Sequence, residues 1–191
     1  KQLLALINDI LELSRLESGR SNLERRPFDL RQCVEDVTAV FHDMAREEGR
    51  AFSVRLEVTD AMVEGDPFKL GQILGNLLSN AFKYSETGDR VEVAVKQFDF
   101  HQHSKYQFIV EDTGIGMSEQ FLEHIFDPYA RETRFSSQAI TGTGLGMPIV
   151  KSLVQQMNGE IAVESTLGEG SRFTVTLPLE TVQEEEGVAE P

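Results

Sequence analysis

The sequence is poor in the residues that build disulfide frameworks, metal clusters and membrane spans. Among its 191 residues it has one cysteine, Cys33, and no tryptophan. One cysteine cannot form an intramolecular disulfide, and this usage is typical of a reducing compartment, where Cys33 would fill part of the core. No run of about 18 apolar residues occurs, so the sequence predicts no membrane-spanning helix.

Positive charge is also scarce. The chain carries 18 Lys and Arg residues against 32 Asp and Glu residues, which gives a formal net charge of −14. Such a surface repels nucleic-acid backbones and acidic lipid, which argues against nucleic acid as a partner. A ligand that carries phosphate would therefore need a pocket that is locally positive or rich in backbone amides.

Histidines are few, and none of the four has a partner set that indicates a metal site. His101 and His103 fall in a polar turn at about 99–105, and no third ligand lies at suitable spacing. We interpret this turn as the solvated tip of a hairpin. His42 and His124 are isolated in the sequence.

The first 19 residues predict one helix with an unusually apolar stripe. Its apolar residues recur at intervals of three to four: Leu3, Leu6, Ile7, Ile10, Leu13 and Leu16, widened by Leu4 and Leu11. This stripe either pairs with other helices, as in a coiled coil or four-helix bundle, or packs on the chain's own domain. Residues 20–29 are polar and include Pro27, which argues against a helix, so they predict a linker.

The length of 191 residues fits one domain plus an appendage, and hydrophobic residues, at 40% of the chain, suffice for a core. Helical periodicity predicts helices at 30–48, 67–84, 119–124 and 146–157. Alternating patterns predict strands at 51–58, 61–64, 91–98 and 106–111, and a hairpin formed by 159–164 and 171–178. From Glu180 the chain is acidic, which indicates a solvated tail over 180–191.

The helix predicted at 67–84 carries a polar stripe beside its apolar face. Asn76, Asn80 and Lys83 fall within about 60° of one another around the helix axis. Asn is a poor helix former, so two Asn residues one turn apart at the edge of a buried face suggest a role for their amides. The alternative is that they only hydrogen-bond a neighbouring loop.

Two glycine-rich turns follow. The first, at residues 112–117, places Asp112 directly after a strand and before two glycines. The second, at residues 142–146, opens a helix. Glycine lets a ligand approach the main chain closely. The polar segment at 130–141, which holds Arg131 and Arg134, lies between the two turns and predicts a mobile lid.

Together these motifs resemble the ATP-binding catalytic domain of bacterial sensor histidine kinases, within the larger family of gyrase B, Hsp90 and MutL. Residues 66–85 resemble the N-box, 112–116 the first glycine box, 126–129 the F-box and 142–146 the second glycine box. The resemblance covers about residues 28–179. It implies an α+β fold, a two-layer α/β sandwich in which helices cover one face of a mixed, mostly antiparallel sheet, preceded by one long helix.

The same resemblance divides the chain into four parts. Residues 1–20 would be the second helix of a dimerisation and phosphotransfer domain, and 21–29 a linker. Residues 30–179 would be the ATP-binding domain, and 180–191 an acidic tail or linker.

The resemblance also implies a role for each site residue, with ATP and Mg²⁺ as cofactors. Asp112 would accept a hydrogen bond from the adenine amino group, and Asn80 would bind Mg²⁺. Asn76 and Lys83 would act at the phosphates as catalytic residues. The remaining nucleotide contacts would be Tyr84, Gly114, Ile115, Gly116, Tyr129, Arg131, Thr143, Gly144, Leu145, Gly146 and Met147.

Two departures from the wider family bear on mechanism. Family members that hydrolyse ATP carry a glutamate one turn before the metal-binding Asn, whereas this chain has Asn76 there. Hydrolysis should therefore be slow. None of the four histidines has the context of a phosphoacceptor box, which we expect upstream of Lys1, so this chain should bind ATP without phosphorylating itself.

The resemblance implies a kinase that passes the γ-phosphoryl group of ATP to its own dimerisation-domain histidine and signals to a response regulator or receiver domain. The chain would form a homodimer through its first helix and lie in the cytoplasm, with a membrane anchor elsewhere left open. Three alternatives remain: an ATPase of the gyrase or Hsp90 type, a non-catalytic dimerising signalling module, and a serine kinase of the anti-sigma type.

Overall fold

The computed structural model describes residues 1–98, 103–131 and 142–182. Its helices are α1 (Gln2–Glu17), α2 (Leu30–Glu48), α3 (Pro67–Lys83), α4 (Glu119–Leu122) and α5 (Gly146–Gln156). Its strands are β1 (Arg26–Asp29), β2 (Ala51–Glu57), β3 (Met62–Gly65), β4 (Arg90–Phe98), β5 (His103–Asp112), β6 (Glu160–Thr166) and β7 (Gly170–Thr181).

The strands form one sheet in the order β1-β3-β7-β5-β4-β2, and β6 also pairs with β7. Strand β2 runs parallel to β4, and the other pairs are antiparallel. The predicted fold class, a mixed and mostly antiparallel sheet covered by helices, is therefore confirmed.

The core lies between the sheet and helices α2, α3 and α5. The alternation of β5 turns Tyr106, Phe108 and Val110 inward, and all three are buried. The apolar face of α3 meets them with Leu70, Ile73, Leu74, Leu77 and Leu78, each fully buried. This two-layer packing fixes the C-terminal half of α3 close to the end of β5, where Asp112 lies.

The prediction of a linker over 21–29 is wrong for its second half. Residues 26–29 form β1, which pairs antiparallel with β3, and Pro27 is opposite Glu64. Strand β1 is at the edge of the sheet, where a proline that cannot donate a ladder hydrogen bond is tolerated. The proline excluded a helix but not an edge strand.

Helix α1 packs in part on the chain's own domain, which was one of the two alternatives for its apolar stripe; the other, pairing with further helices, stays a prediction. One face packs against α5, with Leu13 buried and Leu6 and Leu16 half-buried. The opposite side stays exposed, with Leu3, Leu4, Ile7, Ile10 and Leu11 in solvent. Across the described residues, no helix has the length and hydropathy needed to cross a bilayer.

The predicted tail begins too early, since β7 continues through Glu180 to Thr181 and pairs there with β3. Residues 183–191, His101, Arg134 and most of the predicted lid at 130–141 lie outside the described residues.

Candidate functional site

A cavity of about 230 Å³ opens between α3, α5 and the turn after β5. It brings together most of the predicted site residues: Asn76, Asn80, Lys83, Tyr84, Asp112, Ile115, Gly116, Arg131, Thr143, Gly144, Gly146 and Met147. These residues are up to 71 positions apart in sequence, from Asn76 to Met147, and the fold gathers them around one space. Gly114, Tyr129 and Leu145 do not line the cavity, although they lie in the turns that form it.

Helix α3 supplies the polar stripe as predicted. The Asp66 carboxylate caps its start by accepting from the amide of Lys69. With the apolar face fixed in the core, Asn76, Asn80 and Lys83 are half-buried along the cavity wall. Asn76 Nδ2 donates to the carbonyl oxygen of Gly146 over 3.4 Å, which ties α3 to the start of α5.

Asp112 lies at the end of β5 and is 6% exposed. Burial raises the pKa of its carboxyl group to about 6; the amide of Gly114 opposes this shift, and the charges of Asp89 and Glu111 add to it. The Gly114 amide donates to Asp112 Oδ1 over 3.0 Å. A carboxylate has room for several donors, so Asp112 keeps acceptor capacity that faces the cavity.

The first glycine turn is held between α3 and the β6–β7 hairpin. The amide of Ile115 donates to the carbonyl oxygen of Tyr84 over 3.0 Å, and the amide of Gly168 donates to that of Ile115 over 2.7 Å. A Cβ on Gly114 would collide with the Tyr84 carbonyl group, and Gly116 has a φ of +64°. Gly114 therefore holds Asp112 in position through its amide, although Gly114 does not itself line the cavity.

The second glycine turn leads into α5 and leaves the helix start open. Gly144 has a φ of +73°, and a Cβ there would lie 2.9 Å from the Cα of Tyr129. The amide of Tyr129 donates to the Gly144 carbonyl oxygen over 2.9 Å, while the Tyr129 side chain is exposed and the Leu145 side chain is buried. No side-chain hydrogen bond caps α5, and Gly146 and Met147 of its first turn, whose amides have no partner within the helix, line the cavity.

Two cations converge at this end of the cavity. Burial lowers the pKa of Lys83, and the nearby charge of Arg131 lowers it further. Arg131 donates to the carbonyl oxygen of Gly142, and a Cβ on Gly142 would lie 2.5 Å from Lys83 Nζ. Free helix amides beside two cations form a site suited to a phosphate group.

Sequence reasoning missed several residues that line the cavity. Met117, Phe121, Ile125 and Phe173 form an apolar wall. Asp9 of α1 also reaches the cavity and accepts a hydrogen bond from Thr143 Oγ1 over 2.7 Å. The only sequence feature that points to Asp9 is its charge, which stands among the half-buried positions of an otherwise apolar helix.

Most of the segments that form this cavity fall within the match to one known family. The family described as "Histidine kinase-, DNA gyrase B-, and HSP90-like ATPase" matches residues 65–181. The chain belongs to this family. The resemblance deduced from the four boxes is therefore confirmed.

The relatives within this family are sensor kinases. LuxQ of Vibrio vulnificus, an "Autoinducer 2 sensor kinase/phosphatase", is 38% identical over 189 residues, covering 97% of this chain and 22% of LuxQ. The "Sensor protein GacS" of Pseudomonas syringae pv. syringae is 38% identical over 184 residues, covering 96% of this chain and 20% of GacS. The 191-residue chain therefore spans about a fifth of the length of these curated relatives.

A solved structure of ShkA, full-length and in complex with AMPPNP, superposes with a TM-score of 0.82 at 28% identity. The match covers 95% of this chain and 37% of ShkA. Because that coverage leaves out few residues, the similarity extends beyond the 65–181 segment that the family matches.

Proposed function

We propose that this chain is the ATP-binding catalytic domain of a two-component sensor histidine kinase. The observation that carries the proposal is the buried carboxylate of Asp112, which has spare acceptor capacity in a cavity that also holds cations and free helix amides. A base with an exocyclic amine and a chain of phosphates would satisfy both groups at once.

At the base end, Asp112 would accept a hydrogen bond from the adenine amino group. Guanine presents a carbonyl oxygen at the same place, which would leave two acceptors facing each other without a proton. Ile115 and Gly116 would contact the plane of the base, and Tyr84 would line the pocket beside it. The apolar wall that includes Met117 and Phe173 supports a flat, mostly apolar ligand.

At the phosphate end, the amides of Gly144, Leu145, Gly146 and Met147 would bind the anion, with the helix dipole of α5 adding to the attraction. Lys83 would supply a cation from α3. Further contacts with the nucleotide would come from Arg131, Thr143 and Tyr129, on the side of the predicted lid. The proximity of Lys83 to Gly142 supports this assignment, because it puts a cation beside the open helix start.

The donor set also suits Mg²⁺ bound together with phosphates. The Asn80 amide lines the cavity and offers a hard oxygen ligand, while no group of three or more His, Cys, Asp or Glu residues in the described ranges could hold a metal alone. Asn80 would hold the ion, and the ion would neutralise phosphate charge. Asn76, in the place of a water-activating glutamate, would leave the γ-phosphate intact until a protein acceptor arrives.

In the reaction, a nitrogen of the acceptor histidine would form a bond to the γ-phosphorus as the bond to the bridging oxygen breaks, and ADP would leave. The acceptor would belong to the dimerisation domain, of which α1 would be the second helix. The phosphoryl group would pass on to a response regulator or receiver domain. The domain would operate in the cytoplasm, as a homodimer through α1.

Calorimetric titration with a non-hydrolysable ATP analogue, with and without Mg²⁺, tests the proposal. The wild type should bind the analogue, more tightly with Mg²⁺, and should not bind the GTP analogue. Asp112→Asn should lose the preference for adenine. Binding of both nucleotides alike, or a folded wild type that binds neither, would contradict the proposal, and the second result would favour a non-catalytic module.

Turnover separates the kinase from an ATPase of the gyrase or Hsp90 type. With Asn76 in place of a general base, we expect negligible phosphate release from ATP. Sustained hydrolysis by the wild type would favour the ATPase.

A further inference from the structure

Helix α1 brings a carboxylate to the phosphate end of the cavity. Thr143 Oγ1 donates to Asp9 Oδ2 over 2.7 Å, and the same hydroxyl oxygen accepts from the amide of Leu145 over 3.3 Å. Asp9 is therefore linked, through one side chain, to the amide of Leu145 at the start of α5. That amide is one of those to which the proposed function assigns the phosphates.

The charges around the cavity make this placement unfavourable for an anionic ligand. Of the described residues that line it, Lys83 and Arg131 are positive, and Asp9 and Asp112 are acidic. Asp112 has its own partner in the first glycine turn, away from α5. Asp9 therefore offsets part of the positive charge that Lys83 and Arg131 supply at the phosphate end.

The contact of α1 with the rest of the core is built mainly from apolar side chains. The face of α1 that meets α5 is held by buried Leu13 and half-buried Leu6 and Leu16. One turn after Asp9, Glu12 accepts a hydrogen bond from Gln72 and lies outside the cavity. A neutral acceptor at position 9 could keep the hydrogen bond from Thr143 without bringing negative charge to the amides.

We propose that Asp9 is a built-in anionic competitor for the phosphate subsite, so that α1 docked on α5 weakens binding of nucleotide phosphates. The inference rests on the proposed function. Because coupling between two sites is reciprocal, a bound triphosphate weakens the docking of α1 by the same factor. Nucleotide binding and the position of the dimerisation helix are thereby linked through one carboxylate.

The test compares Asp9→Asn with Glu12→Gln in the full chain. Both changes remove one negative charge from half-buried positions on the same helix and keep an oxygen that can accept the existing hydrogen bond. Each variant and the wild type are titrated with adenosine, ADP and a non-hydrolysable ATP analogue at low and high salt. Adenosine reports the base end alone, since it carries no phosphate.

We expect Asp9→Asn to bind the ATP analogue roughly fivefold more tightly than the wild type at low salt, with a smaller gain for ADP and none for adenosine. The gain should shrink at high salt, and Glu12→Gln should match the wild type. Hydrogen exchange of the α1 amides should rise when the wild type binds the ATP analogue, and rise less in Asp9→Asn.

Three results would overturn the inference while leaving the proposed function intact. They are equal or weaker binding of the ATP analogue by Asp9→Asn, an equal gain in both variants, and a gain that extends to adenosine. A wild type that binds neither adenosine nor the ATP analogue would instead overturn the proposed function, and this inference with it.

Discussion

Asp112 is the residue at which folding and the proposed binding role conflict. Its carboxyl pKa is raised from 3.8 to about 6, chiefly by burial, so the charged form is disfavoured in the folded chain. The free energy of unfolding contributed by this group is therefore largest below pH 4 and falls as the pH rises through 6. Above that pH the ionised group costs about 3 kcal/mol.

Asp112→Asn should consequently stabilise the ligand-free chain at neutral pH. We expect a gain of about 2 kcal/mol in the free energy of unfolding at pH 7.5, because Asn removes the buried charge and keeps an oxygen for the Gly114 amide. The gain should vanish toward pH 4. Urea unfolding at both pH values measures it, and a variant less stable than the wild type at pH 7.5 would contradict the electrostatic account.

The same pKa predicts that binding of the base depends on pH. An ionised carboxylate is the stronger acceptor for the adenine amino group, so adenosine affinity should be constant above pH 7 and fall below pH 6. The fall should approach tenfold per pH unit if only the ionised form binds. Adenosine is the right ligand because it has no phosphate to titrate, and Asp112→Asn should show no such dependence.

At the scale of the element, the first glycine turn depends on the absence of a Cβ at one position. A Cβ on Gly114 would collide with the Tyr84 carbonyl group, whereas one on Gly75, inside α3, would meet no atom within 4 Å. Gly114→Ala should therefore lower the free energy of unfolding by more than about 2 kcal/mol, and Gly75→Ala should raise it by about 0.5–1 kcal/mol.

Thermal and urea unfolding of the two variants check this pair, because both replace glycine by the same side chain. Gly114→Ala should also weaken binding of the ATP analogue, since the turn holds Asp112 in place. If Gly114→Ala were as stable as the wild type, the close packing of this turn on α3 would be wrong.

Local sequence patterns correctly predicted those helices and strands that are determined by residues within the element itself. Helix α3 is an example, since Asp66 and Pro67 mark its start and its apolar spacing runs unbroken to Ala81. The positions of Asn76 and Asn80 along the cavity follow from that spacing alone. The resemblance to a known family then located the two glycine turns on either side of one site.

The elements that local patterns missed depend on a distant partner. Residues 26–29 form strand β1 because they pair with β3. No pattern within these four residues predicts a strand. Asp9 lines the cavity only because α1 packs on α5, far along the chain. Gly114 and Leu145 do not line the cavity, whereas Gly116 and Gly146 do, and a turn motif alone does not say which of its residues faces inward.

At the scale of the whole molecule, α1 presents two different surfaces. Leu6, Leu13 and Leu16 lie on the side that packs on α5, and the exposed leucines and isoleucines face outward. A contiguous apolar surface on one helix is typical of an association face. The two surfaces therefore allow association and nucleotide binding to be altered separately.

Leu4→Glu combined with Leu11→Glu should prevent association through α1. Both side chains are exposed, 64% and 51%, so the charges should leave the fold and the affinity for the ATP analogue unchanged while repelling a second copy.

Leu13→Ala is the matched change on the inner surface, and it should free α1 from α5 without changing the exposed apolar side chains of α1. Each variant should therefore change only one of two measured quantities, the mass from sedimentation equilibrium or the affinity from nucleotide titration. The glutamates should shift the mass toward the monomer, and Leu13→Ala should raise affinity for the ATP analogue by withdrawing Asp9. An outer variant that loses nucleotide binding would show that the two surfaces are not independent.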